Sequence, residues 1–136
     1  MEQPHQGSCL CGSVSYELNG EFKAFYLCHC RRCQKDTGSA HAANLFAQNA
    51  SLNWTQGAQF VQTFQLPNSL HVKSFCRQCG AALPTATGDI VVVPASSLDS
   101  PLPMMPTAKI FVGDGAEWAK NLAQLPCFDT LPTAVS

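Results

Sequence analysis

Eight cysteines in 136 residues, seven of them in three tight groups, constrain this chain more than any other feature. The groups are Cys9 with Cys11, then Cys28, Cys30 and Cys33, then Cys76 with Cys79, which leaves Cys127 alone. Eight thiols suffice for four disulfides. However, Met1 to Ser8 is polar and lacks the basic-then-apolar plan of an export signal. A chain that is 46% hydrophobic also needs no covalent staples to hold a core. In a reducing compartment thiols stay reduced, and clustered cysteines serve as metal ligands. The spacing therefore reads as metal binding in a cytoplasmic protein.

Size and charge narrow the class further. A chain of this length is expected to form a single domain over residues 1–136. Only 12% of its residues are charged and the formal net charge is −1, so it lacks the basic footprint of a nucleic-acid or anionic-membrane binder. No apolar run approaches the roughly 20 residues that a membrane span requires.

Between the cysteine groups the chain punctuates itself into short extended pieces. Val14, Tyr16 and Leu18 alternate with Ser13, Ser15 and Glu17, the period of a strand with one buried face. Asn19-Gly20 predicts a hairpin turn, with an aromatic-rich strand resuming from Phe22 to Leu27. Asp36-Thr37-Gly38 breaks the chain, and Ser39 to Ala47 reads as a strand or a short helix. Leu52 to Thr55, Phe60 to Gln65, Leu70 to Phe75 and Lys109 to Val112 are further strand candidates, and Ile90-Val91-Val92-Val93 reads as a buried β run. Gly115 to Leu122 is the one predicted helical turn, with Trp118 and Leu122 on one face, and Leu125 to Ser136 reads as loop. Short strands with turns between them and little helix predict a mainly-β domain.

The three cysteine groups differ in kind. Cys9-Leu10-Cys11-Gly12 and Cys76-Arg77-Gln78-Cys79-Gly80 both end in glycine, as zinc knuckles do, where the chain wraps so that two thiolates face one ion and backbone N–H groups point at the sulfurs. Together they supply four thiolates, the set for a closed tetrahedral site that ties a first hairpin to a much later one and serves folding. Cys28-His29-Cys30-Arg31-Arg32-Cys33 offers three thiolates and no partner pair. Three ligands with an open position is the arrangement of catalytic zinc. The alternative is a second structural site closed by His29, His41, His71 or Cys127, although Cys127 reads better as a lone buried thiol. All three arginines of the chain lie in these motifs, and Lys35 follows close behind. Arg77 serves to offset thiolate charge. Arg31 and Arg32 either do the same or hold an anion, since guanidinium groups pair with carboxylates through two parallel hydrogen bonds.

The run Ser8-Cys9-Leu10-Cys11-Gly12, then Cys28 to Cys33 with Thr37-Gly38-Ser39 behind it, then Phe75-Cys76-Arg77-Gln78-Cys79-Gly80, resembles the glutathione-dependent formaldehyde-activating enzymes and the centromere protein V-like domains. Lys109 to Val112, Trp118 and Leu125-Pro126-Cys127-Phe128 resemble the C-terminal pattern of that family, so that the likeness spans about residues 8–132. The resemblance implies an Mss4-like fold of β-sheets around a zinc knuckle. It implies two zinc ions per chain, a structural one on Cys9, Cys11, Cys76 and Cys79 and a catalytic one on Cys28, Cys30 and Cys33. It also implies a carbon–sulfur lyase reaction joining formaldehyde to glutathione. Arg31, Arg32 and Lys35 are the expected anchors for the carboxylates of the thiol, and His29 or His41 the candidate proton carriers. Two other readings stand beside this one. A zinc-stabilised binding module without catalysis would show a large exposed apolar patch, and iron on four thiolates would colour the protein.

Overall fold

The computed structural model describes residues 3–132. Strand β1 (His5–Ser8) pairs antiparallel with the first part of a long strand β2 (Ser15–Cys28), which in turn pairs along its length with β3 (Ala42–Gln56). Helix α1 (Arg31–Thr37) lies in the connection between β2 and β3. Strands β4 (Val61–Gln65), β5 (Val72–Cys76) and β6 (Ala82–Leu83) form a separate antiparallel sheet. Strands β7 (Thr85–Thr87) and β8 (Ile90–Pro94) return to the first sheet, and β9 (Ala108–Ile110) runs parallel to the end of β2. The larger sheet has the order β1-β2-β3-β8-β7 with β9 beside β2, and the smaller one β4-β5-β6. The domain is mainly β, with its sheets built around a cysteine knuckle, as expected.

The core follows from alternation. Val14, Tyr16 and Leu18 are fully buried, together with Leu45, Ala47, Val91 and Val93 from β3 and β8. The Tyr16 hydroxyl reaches the core edge, where it shares a 2.6 Å hydrogen bond with Ser97 Oγ, and burial pushes its pKa up to about 12. Ile90 to Val93 does not form the continuous buried run predicted from its composition. Val91 and Val93 face the core while Ile90 is exposed, because β8 is covered on one face only.

The Asn19-Gly20 hairpin is not formed. Both residues lie inside β2, and the register against β3 shifts between Asn19 and Glu21, a β-bulge. A two-residue type I′ turn needs positive φ at both central residues. Only Gly20 has it (φ +143°), and a Cβ there would lie 2.6 Å from that of Ala50. Pairing along the whole of β3 outweighs the local turn preference, and it also joins the two separately predicted pieces Ser39 to Ala47 and Leu52 to Thr55 into one strand. Gly115 to Leu122 contains a single 3₁₀ turn, Glu117–Ala119, and Trp118 and Leu122 are both exposed.

Candidate metal centres

Cys9 and Cys11 sit in the turn between β1 and β2, Cys76 ends β5, and Cys79 lies in the turn that leads to β6. The fold brings these turns together, so that the sulfurs of Cys9, Cys11, Cys76 and Cys79 lie within 4.8 Å of one another. The contact therefore joins the two sheets. Cys9 Sγ is 3.7 Å from Cys11 Sγ, which is 4.0 Å from Cys76 Sγ. A disulfide needs about 2.05 Å, whereas four sulfurs about 2.3 Å from one zinc ion stand about 3.8 Å apart at the corners of a tetrahedron. The geometry fits a metal and excludes a bridge. Gly12 and Gly80 take the left-handed conformation expected of knuckles, with φ of +81° and +79°. Backbone N–H groups point at sulfur as predicted, Val14 N at 3.3 Å from Cys9 Sγ and Gln78 N at 3.4 Å from Cys76 Sγ.

Electrostatics prepares part of this site. The Ser13 hydroxyl, 3.2 Å from Cys11 Sγ, and the Ser13 backbone N–H pull the Cys11 thiol down to about 6. While Cys11 is a neutral thiol it donates to Ser13 Oγ and the hydroxyl donates to Gln78 Oε1 at 2.8 Å, connecting the two knuckles; once Cys11 is a thiolate the same proton turns to the sulfur. Cys79 is also lowered, chiefly by the N–H of Ala81, while burial pushes Cys76 up.

Cys28, Cys30 and Cys33 gather at the end of β2 and the start of α1, again with all three sulfurs within 4.8 Å. Cys30 is the N-cap of α1 and its sulfur accepts from Cys33 N at 3.4 Å. The helix was not anticipated. Its residues are adequate helix formers, but only Cys33 is buried, so it has no apolar periodicity to reveal it. The predicted break holds, since α1 ends at Thr37 and Gly38 forms its left-handed cap. Burial and the neighbouring cysteine sulfurs push the Cys33 thiol up; burial opposes but does not overcome the hydrogen bonds from Cys33 that lower Cys30.

Among the described residues no fourth histidine, cysteine or carboxylate joins this trio. His71 is committed elsewhere, its Nε2 2.8 Å from Asp36 Oδ2. His29 and His41 lie beside each other with ring centroids 5.1 Å apart and planes tilted by 48°, and His29 Nε2 is buried without a hydrogen-bond partner among the described residues. Cys127 is exposed rather than buried, because the segment around it lies on no core face.

Two hollows flank α1. One, of about 580 Å³, is lined by Arg31, Arg32, Lys35, Phe64, Leu66, Asp36, His71 and Lys73. The other, of about 250 Å³, includes Cys33 and His41 in its lining and shares Asp36, His71 and Lys73 with the first. Sequence reasoning missed Asp36 and Lys73, and it named His71 only as a candidate metal ligand, whereas His71 pairs with Asp36. Lys73 Nζ lies 2.6 Å from Asp36 Oδ1, so β5 clamps the helix that carries Cys33. Asp36 and Lys73 are too far apart in sequence for any local signal to join them. Arg31, Arg32 and Lys35 pair with no carboxylate among the described residues, and Arg77 instead lies over the Phe60 ring at 5.9 Å.

No curated protein matches the sequence. A crystal structure of a Rhodobacter sphaeroides protein, solved as a structural-genomics target, has a TM-score of 0.60 at 22% identity, covering 76% of this chain and 98% of that one. That likeness shows a shared fold. A family model described as glutathione-dependent formaldehyde-activating enzyme matches residues 4–114, a span that holds all three cysteine groups and leaves Trp118 and Leu125 to Phe128 outside it. With its knuckles and its three-thiol group both assembled in space, the chain belongs to the glutathione-dependent formaldehyde-activating enzyme family.

Proposed function

We propose that the protein is a zinc-dependent carbon–sulfur lyase-type enzyme that adds glutathione, or a similar anionic thiol, to formaldehyde or another small aldehyde. The observation that carries this reading is the three-thiol group beside a cleft whose helix presents three cations that pair with no carboxylate among the described residues. In it the four-cysteine site holds a structural zinc and Cys28, Cys30 and Cys33 hold a second. Zinc there supplies Lewis acidity and lowers the pKa of a thiol. Arg31, Arg32 and Lys35 receive the carboxylates of the thiol, and the stems of these side chains with Phe64 and Leu66 shed water from its backbone. His41 lines the hollow that holds Cys33, and burial lowers its pKa, so that at neutral pH it is free to accept the thiol proton. The reaction forms one C–S bond, the thiol proton ends on the former carbonyl oxygen, and no electrons are exchanged with an outside partner.

The test is metal analysis followed by calorimetric titration with glutathione. We expect about two zinc ions per chain and saturable binding that Arg32→Ala weakens by about tenfold. One zinc per chain and no heat with glutathione would remove the reading. That result would favour the non-catalytic zinc-stabilised binding module, which draws support from the apolar surface exposed beyond β9.

A further inference from the structure

The segment after β9 is apolar and is not held by the body of its own chain. Phe111, Trp118, Leu122, Leu125, Phe128 and Leu131 are all exposed, Trp118 by 64% and Leu131 by 74%. Its 3₁₀ turns Val112–Asp114, Glu117–Ala119 and Leu122–Gln124 bury no residue. The root is fastened: His29 N donates to Ile110 O at 2.9 Å, and Gln34 Nε2 donates to Asp114 O at 2.9 Å. Beyond Gly115 every hydrogen bond of the described residues stays within three positions along the chain, as from Ala119 to Ala116 and from Leu125 to Leu122. This arm also begins where the family match ends, at residue 114.

The chain as a whole exposes more surface than a compact monomer of its mass. The chain exposes 9079 Å², whereas a folded monomer of 14.6 kDa is expected to expose about 6,900 Å². The surplus of about 2,200 Å² belongs to the whole chain, with the apolar side chains of the arm contributing to it; it lies in the range of about 1,000–2,500 Å² that an obligate dimer removes from each partner, above the roughly 800 Å² per partner of a standard-size interface. The arm's charges are few and mixed in sign: Asp114, Glu117, Lys120 and Asp129, with Lys120 and Glu117 paired at 2.7 Å. That suits neither nucleic acid nor an anionic membrane. An apolar surface carried by every molecule needs a partner present in equal amount, and a second copy of the chain meets that need without further assumption.

We propose that this protein is a homodimer held by its C-terminal arms, residues 115–131 of each copy packing their apolar side chains against the other. Because the root of the arm is bonded to His29 and to Gln34 on α1, the interface abuts the three-cysteine group of each copy. The inference does not depend on the chemistry proposed for that group.

Light scattering on the zinc-loaded chain from about 1 to 100 µM tests it. The expected mass is twice 14.6 kDa. The double variant Trp118→Asp, Phe128→Asp should return the mass of one chain, with an unchanged circular dichroism spectrum and metal content, since neither side chain lies in the core. A single-chain mass for the natural sequence at every concentration overturns the proposal, as does a dimer that survives both substitutions. Amide exchange on the unsubstituted chain decides independently of the variant. Protection from Trp118 to Leu131 that is lost on dilution supports the dimer, and free-chain exchange at all concentrations overturns it.

Discussion

Ser13 shows how much one hydroxyl can do at the first cysteine site. Together with the backbone N–H of the same residue it lowers the Cys11 thiol to about 6, and it also reaches Gln78 of the other knuckle. The folded value lies below the ordinary 9.0, so the favourable contribution of this thiolate is complete above 9.0 and is lost as pH falls through about 6. Ser13→Ala removes the largest lowering contact and moves that loss to higher pH. Release of metal to a competing chelator at pH 7 should then be about tenfold faster, as for other groups that support a metal ligand. Chelator competition followed by absorbance measures this, and an unchanged release rate would mean that Ser13 does not tune the site.

At the scale of elements, α1 is a single short helix whose placement depends on its ends and on one carboxylate. Cys30 caps its start and Gly38 its end, while Asp36 receives Lys73 and His71 from the second sheet. Asp36 and His71 are only about one-fifth exposed and Lys73 about one-third, so the clamp is partly shielded from solvent. Asp36→Asn keeps the shape and removes the charge. It should lower stability by about 1 kcal/mol and loosen α1, and with it Cys33. Urea unfolding measures the first effect, and the rate of Cys33 alkylation in the metal-free chain measures the second. Equal alkylation rates in variant and natural chain would show that Asp36 does not hold the helix.

At the scale of the molecule, the two sheets meet through the four-cysteine site, whereas the three-cysteine group ties together only the end of β2 and the start of α1. The substitutions should therefore separate. Cys76→Ser opens a closed set of ligands from two sheets and should lower the melting temperature by more than about 10 °C, since structural zinc contributes folding free energy directly. Cys33→Ser should leave the domain folded, with a shift of a few degrees and the loss of one zinc ion per chain. Melting and metal analysis of both variants side by side is the check. If Cys33→Ser unfolds the domain as badly as Cys76→Ser, the middle group is a structural staple and the enzyme reading loses its physical basis.

The sequence by itself determined what depends on spacing: the partition of seven cysteines into a four-ligand and a three-ligand group, the glycine-ended knuckles, and the face shared by Val14, Tyr16 and Leu18. These are local patterns, and side-chain chemistry with period-two alternation is enough to read them. What depends on pairing between distant segments was decided only by the tertiary structure. Asn19-Gly20 carries a turn signal, but β3 holds it straight. Arg31 to Thr37 has no apolar period, yet its cap and the Asp36 clamp make it helical. Trp118 and Leu122 read as one face of a helical turn, but only Glu117–Ala119 turns, as a 3₁₀ turn, and both side chains stand exposed. In each case the deciding contact lies tens of residues away, or on no part of the same chain's core. A local pattern states a preference, and the net balance of long-range burial and pairing determines whether that preference is kept.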